Sequence, residues 1–173
     1  MNILIYRYGS ICEPDVITGF QALGNQVSEI TAEIYNKNLP PSEGVTLLKN
    51  ELLTYSYDFV FSINFFPFIS EVCNIFQIRY ICQTVDSPVM ELYSNSICNP
   101  WNRIFMFDKA QYDEFSPKNP AGIFHLPLAS NPTRWESVIN NATPSQIDRY
   151  SGDVSFVGSL YTEKSPYRRL KNA

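Results

Sequence analysis

The chain has 173 residues, a formal net charge of −4 and a pI near 5.0, with 45% hydrophobic, 14% aromatic and 17% charged residues. That length supports one domain with a sizeable core, and the composition excludes a disordered chain. A mildly acidic balance offers no general attraction for polyphosphate and argues against a nucleic-acid partner, and no apolar run reaches membrane-spanning length.

The opening MNILIYRYGS has Arg7 inside its first apolar run and no small-residue cleavage site. It reads as a first strand (2–8) rather than a secretory leader, and the expected compartment is the cytoplasm. The segment EPDVITGFQALGN (13–25) predicts a helix with Val16, Phe20 and Leu23 on one face and Gly24-Asn25 as its stop. QVSEI (26–30) is the second strand. PSEGVTLLKNELLTYS (41–56) predicts a helix with Ser42 as N-cap and a Val45, Leu48, Leu52 stripe. DFVFSINF (58–65) is the third strand, and PFISEVCNIFQ (67–77) is a helix with proline in its first turn. Strands follow at 79–85, 103–108 and 122–129, with a short helix at 109–117. Residues 130–152 are polar and rich in Asn, Ser and Pro, and read as a linker with a short helix at 143–149. A last strand, DVSFVGSL (153–160), precedes the beginnings of a helix. That ending suits the front part of a longer protein, with 153–173 belonging to the next unit.

Most of these strands are near-continuous apolar runs, as strands covered on both faces are. Alternation with helices predicts an α/β fold, a Rossmann-like doubly wound parallel sheet. Cys12, Cys73, Cys82 and Cys98 form no CxxC pair, and the single His125 is remote from them in sequence. Free thiols and no metal site are expected.

Ligands of open parallel sheets bind beyond the carboxyl ends of the strands, where strand order reverses. The strand tips bring forward Arg7, Tyr8, Gly9, Ser10, Asn64, Phe65, Phe66, Asp86, Ser87, Asp108 and Lys109. Rings mixed with hydrogen-bonding groups suit a sugar-like or amphipathic ligand. Each has a plainer role. Gly9 serves a tight turn. Asn64-Phe65-Phe66-Pro67 is an ordinary strand-to-helix corner with inward rings. Asp86 before Ser87-Pro88 has the form of a helix N-cap as well as of a working carboxylate. Asp108-Lys109 reads as a cap and a solvated charge, and His125 as a packed strand residue that could reach the cleft. Neither a GxGxxG fingerprint nor a Walker lysine is present.

MNILIY, TVDSP, HLPLASNP and above all DVSFVGSLYTEKSPYRRL together resemble GT-B glycosyltransferases, in particular the spore maturation protein CgeB-like branch. The resemblance spans the chain and is strongest over 122–132 and 153–170. It implies that 1–130 is the acceptor-binding Rossmann-like domain, 131–152 the interdomain linker, and 153–173 the start of a donor domain that is largely missing. It places Gly158 and Ser159 near the donor phosphate, with Lys164 and Arg168 approaching it. It implies a nucleotide sugar as co-substrate, no bound cofactor or metal, and a glycan, glycoprotein, lipid-linked or small-molecule acceptor. A fragment without the rest of the donor domain is expected to be inactive alone.

An inverting transfer needs a base on the acceptor side. Asp86 is the first candidate and His125 the reserve, while Tyr8, Gly9, Ser10, Asn64, Phe65, Phe66, Ser87 and Asp108 are candidate acceptor contacts. A retaining enzyme would leave Asp86 only to orient the acceptor. The competing class is a non-catalytic binding or dimerisation module, since fold does not fix function. The 11 Tyr and 12 Phe residues could furnish an interface of that kind, so homo-oligomerisation stays open.

Overall fold

The structure, a computed structural model, describes residues 1–155. Met1–Ser130 forms one compact unit, and a second begins at Asn131. In the first unit, β1 (Asn2–Tyr6), β2 (Gln26–Ile30), β3 (Phe59–Ile63), β4 (Arg79–Gln83), β5 (Asn102–Met106) and β6 (Ile123–His125) form one six-stranded sheet. Every pairing is parallel and the order is β2-β1-β3-β4-β5-β6. This is the doubly wound α/β architecture predicted. Strand order reverses at β1, so the crevice between the β1 and β3 tips is the topological switch point.

Side-chain alternation assigns the two faces. Leu4, Tyr6, Val60, Tyr80, Cys82, Ile104 and Met106 point to one core. That core is closed by α3 (Pro41–Thr54), α4 (Pro67–Phe76) and α5 (Lys109–Phe115), through Leu48, Ile69, Val72 and Phe115. Ile3, Ile5, Phe59, Phe61 and Ile63 form the opposite core, where α1 (Glu13–Ala22) places Ile17, with Val16 and Phe20 half-buried beside it. Burial of each such aliphatic side chain contributes roughly 2 kcal/mol. The Val45, Leu48, Leu52 stripe faces the core as its spacing predicts.

Three local expectations are corrected. Leu23 does not share the α1 face: the helix ends at Ala22 and Leu23, its C-cap, is 80% exposed. The stop itself is Gly24, at φ 78°. Ser42 is not the N-cap of α3. Pro40 is, in extended backbone at ψ 141°, because the residue before Pro41 is pushed out of the helical region. A short helix, α2 (Ala32–Tyr35), also follows β2. Beyond β4 the chain makes two 3-10 turns, Met90–Tyr93 and Asn95–Cys98, in place of the helix that Asp86 was expected to cap. Cys12, Cys73, Cys82 and Cys98 are all free thiols.

In the second unit, α6 (Pro132–Asn140) and α7 (Pro144–Tyr150) occupy most of the stretch expected to be linker. Asn131 caps α6 by accepting the Arg134 N–H at 3.3 Å, with Pro132 in the first turn. Thr143 and Gln146 form a capping box on α7. The strand expected at 153–160 is not formed over 153–155, and the remainder lies outside the described residues. No helix among the described residues is long and apolar enough to cross a membrane.

Candidate functional site

The tips of β1, β3 and β4 enclose a pocket of about 300 Å³. Tyr8, Asn64, Phe65, Phe66 and Asp86 line it, all of them candidates from the strand-tip rule, together with Glu33, Pro88, Val89 and Glu91.

Asn64 organises the pocket. It follows β3 directly and adopts φ 57°, a left-handed conformation that asparagine tolerates better than most residues. Its Nδ2 donates to Asp86 Oδ2 at 2.6 Å and to the Tyr8 hydroxyl at 3.0 Å. Its Oδ1 accepts the Val85 N–H at 2.9 Å. The β4 corner is therefore held against β3 by a side chain, and Asp86 is fixed through one oxygen. Asp86 caps no helix: the residue capping the first turn after β4 is Val89. Its backbone carbonyl accepts from Gln111 Nε2 at 3.4 Å, although Gln111 Oε1 is buried without a partner.

The aromatic residues divide. Phe65 is fully buried against Tyr80, with ring centroids 5.8 Å apart, and so takes the inward packing role. Phe66 is half-buried between Tyr6 (5.4 Å) and Tyr8 (5.5 Å). The corner that presents both rings hangs on the buried Tyr80 hydroxyl. That oxygen accepts the Phe66 N–H at 2.9 Å and lies 2.6 Å from Ser62 Oγ. Burial pushes the Tyr80 phenol well above its ordinary pKa. Tyr8 is raised too, chiefly by burial, with the Asp86 charge adding to it.

The β1–α1 loop is tied down by Glu13, whose side chain has no exposure. Glu13 accepts the Tyr8 and Gly9 N–H groups at 2.9 and 3.1 Å and Arg7 Nε at 3.1 Å. Gly9 sits at φ 93°, and a Cβ there would come within 2.7 Å of Lys37 Nζ, so the tight-turn role is real. Ser10 accepts the Cys12 N–H at 3.4 Å and does not line the pocket.

Asp108 caps α5 by accepting the Ala110 N–H at 2.8 Å, as expected, and Lys109 pairs with Asp113 one turn on. Asp108 also accepts from the Ser87 hydroxyl, and that bond is the main reason its carboxyl titrates below the usual range. Ser87 and Asp108 thus lock the β4 and β5 loops together just outside the pocket. His125 is exposed on the edge strand β6, its Nε2 3.2 Å from the Phe107 carbonyl and its ring 5.8 Å from Tyr112. It does not line the pocket. Gly158, Ser159, Lys164 and Arg168 lie outside the described residues.

Glu33 and Glu91 were missed by sequence reasoning. Glu33 lies just past β2, where the strand-tip rule applies as well as at the other strands. Its Oε2 accepts from the Tyr6 hydroxyl at 2.7 Å; burial first, and this bond after it, raise the Tyr6 phenol. Glu91 had no such signal, because its place depends on the path of the chain after Pro88. No group of three or more potential metal ligands occurs among the described residues. Chemically, the pocket pairs an oriented carboxylate with aromatic side chains and two further carboxylates, an arrangement suited to a hydroxyl-bearing organic ligand.

Comparison with protein-family models, with curated proteins and with solved structures finds no match to this chain.

Proposed function

We propose that this chain is the acceptor-binding half of a nucleotide-sugar-dependent glycosyltransferase, with Asp86 as the base that receives the acceptor proton. The observation that carries the reading is the Asn64–Asp86 contact at 2.6 Å inside the switch-point pocket. A carboxylate held through one oxygen keeps the other for a substrate hydroxyl. In an inverting transfer the acceptor oxygen attacks the anomeric carbon as its proton passes to Asp86. The bond from that carbon to the nucleotide phosphate breaks, and the leaving phosphate keeps the electron pair. Tyr8 and Phe66 supply faces for a sugar ring, and Ser87 with Asp108 hold the adjoining loops. The donor side rests on the resemblance of residues 153–170.

The test is nucleotide release from a panel of nucleotide sugars by the intact protein, wild type beside Asp86→Asn. The reading expects one donor to be consumed and the variant to lose about 100-fold or more in rate while unfolding at the same temperature. Equal rates would remove Asp86 as the base. A protein that neither binds nor consumes any donor would overturn the reading as a whole.

One observation favours a binding or dimerisation module instead. Helices α6 and α7 expose Val138 (57%), Ile139 (69%) and Tyr150 (73%) around an apolar concavity of about 480 Å³. A concentration-dependent dimer that Ile139→Ser dissociates, with no donor consumption, would establish it.

A further inference from the structure

The corner where a doubly wound fold is best suited to hold a phosphate is filled from within. The loop after β1 normally offers backbone N–H groups at the start of a helix, an arrangement made for anions. Here the Tyr8 and Gly9 N–H groups and Arg7 Nε are all engaged by the buried Glu13 carboxylate. Arg7 NH1 turns away to Glu29 Oε2 at 2.5 Å, and Lys37 donates to the Tyr8 carbonyl. No Lys or Arg lines the pocket, whereas Glu33, Asp86 and Glu91 do. Glu33 and Asp86 each have one oxygen held by Tyr6 and Asn64, which orients the other. The Glu91 carboxylate has no hydrogen-bond partner among the described residues.

We propose that the switch-point pocket takes a polyhydroxylated acceptor that carries a protonated amine and no phosphate. The inference rests on the acceptor reading of the same pocket. A phosphate would meet three carboxylates and find its usual backbone donors occupied. An ammonium group would donate charge-assisted hydrogen bonds to Glu33 or Glu91. It would also lie near the Tyr8 and Phe66 ring faces, which attract cations. The hydroxyls of the same molecule would be left for Asp86.

The experiment is calorimetric titration of the 173-residue chain with glucosamine, N-acetylglucosamine and glucose 6-phosphate, which share a ring and differ in charge. Glucosamine is expected to bind about tenfold tighter than N-acetylglucosamine, with glucose 6-phosphate weakest and the preference eroded by added salt. Glu33→Gln with Glu91→Gln should abolish the preference. Glu91→Gln alone, on an exposed turn and without a partner to lose, should reduce it in a protein that folds normally. Equal affinities for the two amino sugars, preference for the phosphate, or no glucosamine binding would each overturn the inference. Donor consumption that depends on Asp86, found alongside any of those results, would leave the glycosyltransferase reading standing. Charge-selective amine binding with no donor consumption would sink that reading and leave the selection in place.

Discussion

Asn64 and Asp86 form a bridge between neighbouring strands: Asn64 Nδ2 lies 2.6 Å from Asp86 Oδ2, while the same amide accepts the Val85 N–H through its oxygen. Through its 3.0 Å bond to the Tyr8 hydroxyl, one side chain joins the tips of β1, β3 and β4. The pocket exists because these three tips are held at fixed spacing.

Replacing Asn64 separates the backbone role from the side-chain role. Both Asn64→Gly and Asn64→Ala delete the bridge, but only alanine must also hold the left-handed φ of 57°. The alanine variant is expected to be less stable than the glycine variant by about 1 kcal/mol, read from urea unfolding, while ligand binding weakens equally in both. Identical unfolding midpoints would show that the backbone conformation is not under strain from a Cβ.

Glu13 is the internal anion of the β1–α1 loop. Glu13→Ala would leave the Tyr8 and Gly9 N–H groups and the Arg7 guanidinium without their buried partner, at a cost of about 3 kcal/mol or more. The emptied cradle should then respond to small anions. Formate or phosphate is expected to raise the melting temperature of the variant and leave that of the wild type unchanged. A variant as stable as wild type would remove Glu13 from this role.

Tyr80→Phe tests the corner that presents Phe66. The hydroxyl it deletes accepts the Phe66 N–H at 2.9 Å within a buried site. Loss of a buried partner of this type costs about 1–3 kcal/mol. Chemical denaturation measures the cost, and the Phe66 amide should exchange its proton with solvent faster in the variant. An unchanged exchange rate would argue that the corner is held by α4 alone.

The pH dependence of stability has two limbs with opposite causes. Burial raises the phenols of Tyr6, Tyr8 and Tyr80 above their ordinary value of 10.0, with Glu33 adding to the effect on Tyr6. An unfolded tyrosine loses its proton near pH 10 while these keep theirs. Their contribution is therefore complete below pH 10 and is lost as pH rises through the folded values. Asp108 is lowered from 3.8, first by the Ser87 hydroxyl and then by the Ala110 amide. Its contribution is present above that pH and is lost as pH falls through the folded value. Melting temperature against pH should fall on the alkaline side together with the rise of tyrosinate absorbance, and Asp108→Asn should flatten only the acid limb. A flat alkaline limb, or an acid limb that Asp108→Asn leaves unchanged, would contradict these assignments.

Local pattern is enough for the α/β class and the alternation of strands with helices. Continuous apolar runs such as FVFSI, alternating with a helix stripe such as Val45, Leu48 and Leu52, can bury themselves only as a parallel sheet between helices. QVSEI is the second strand residue for residue. The strand-tip rule named five of the pocket's lining residues because chain polarity alone places such tips on one edge. The Asn131-Pro132 helix start was also written locally, but polar residues over 130–152 and a weak apolar stripe concealed α6. Which tips meet is settled by long-range packing. Strand order puts β1 beside β3 and leaves His125 on the outer edge, and neither follows from local pattern. Packing likewise set Asp86 against Asn64 rather than over a helix, brought in Glu33 and Glu91, and buried Glu13 beneath its own loop. Those contacts span up to 56 residues of chain, as between Tyr8 and Asn64, and such separations are joined by packing and not by propensity.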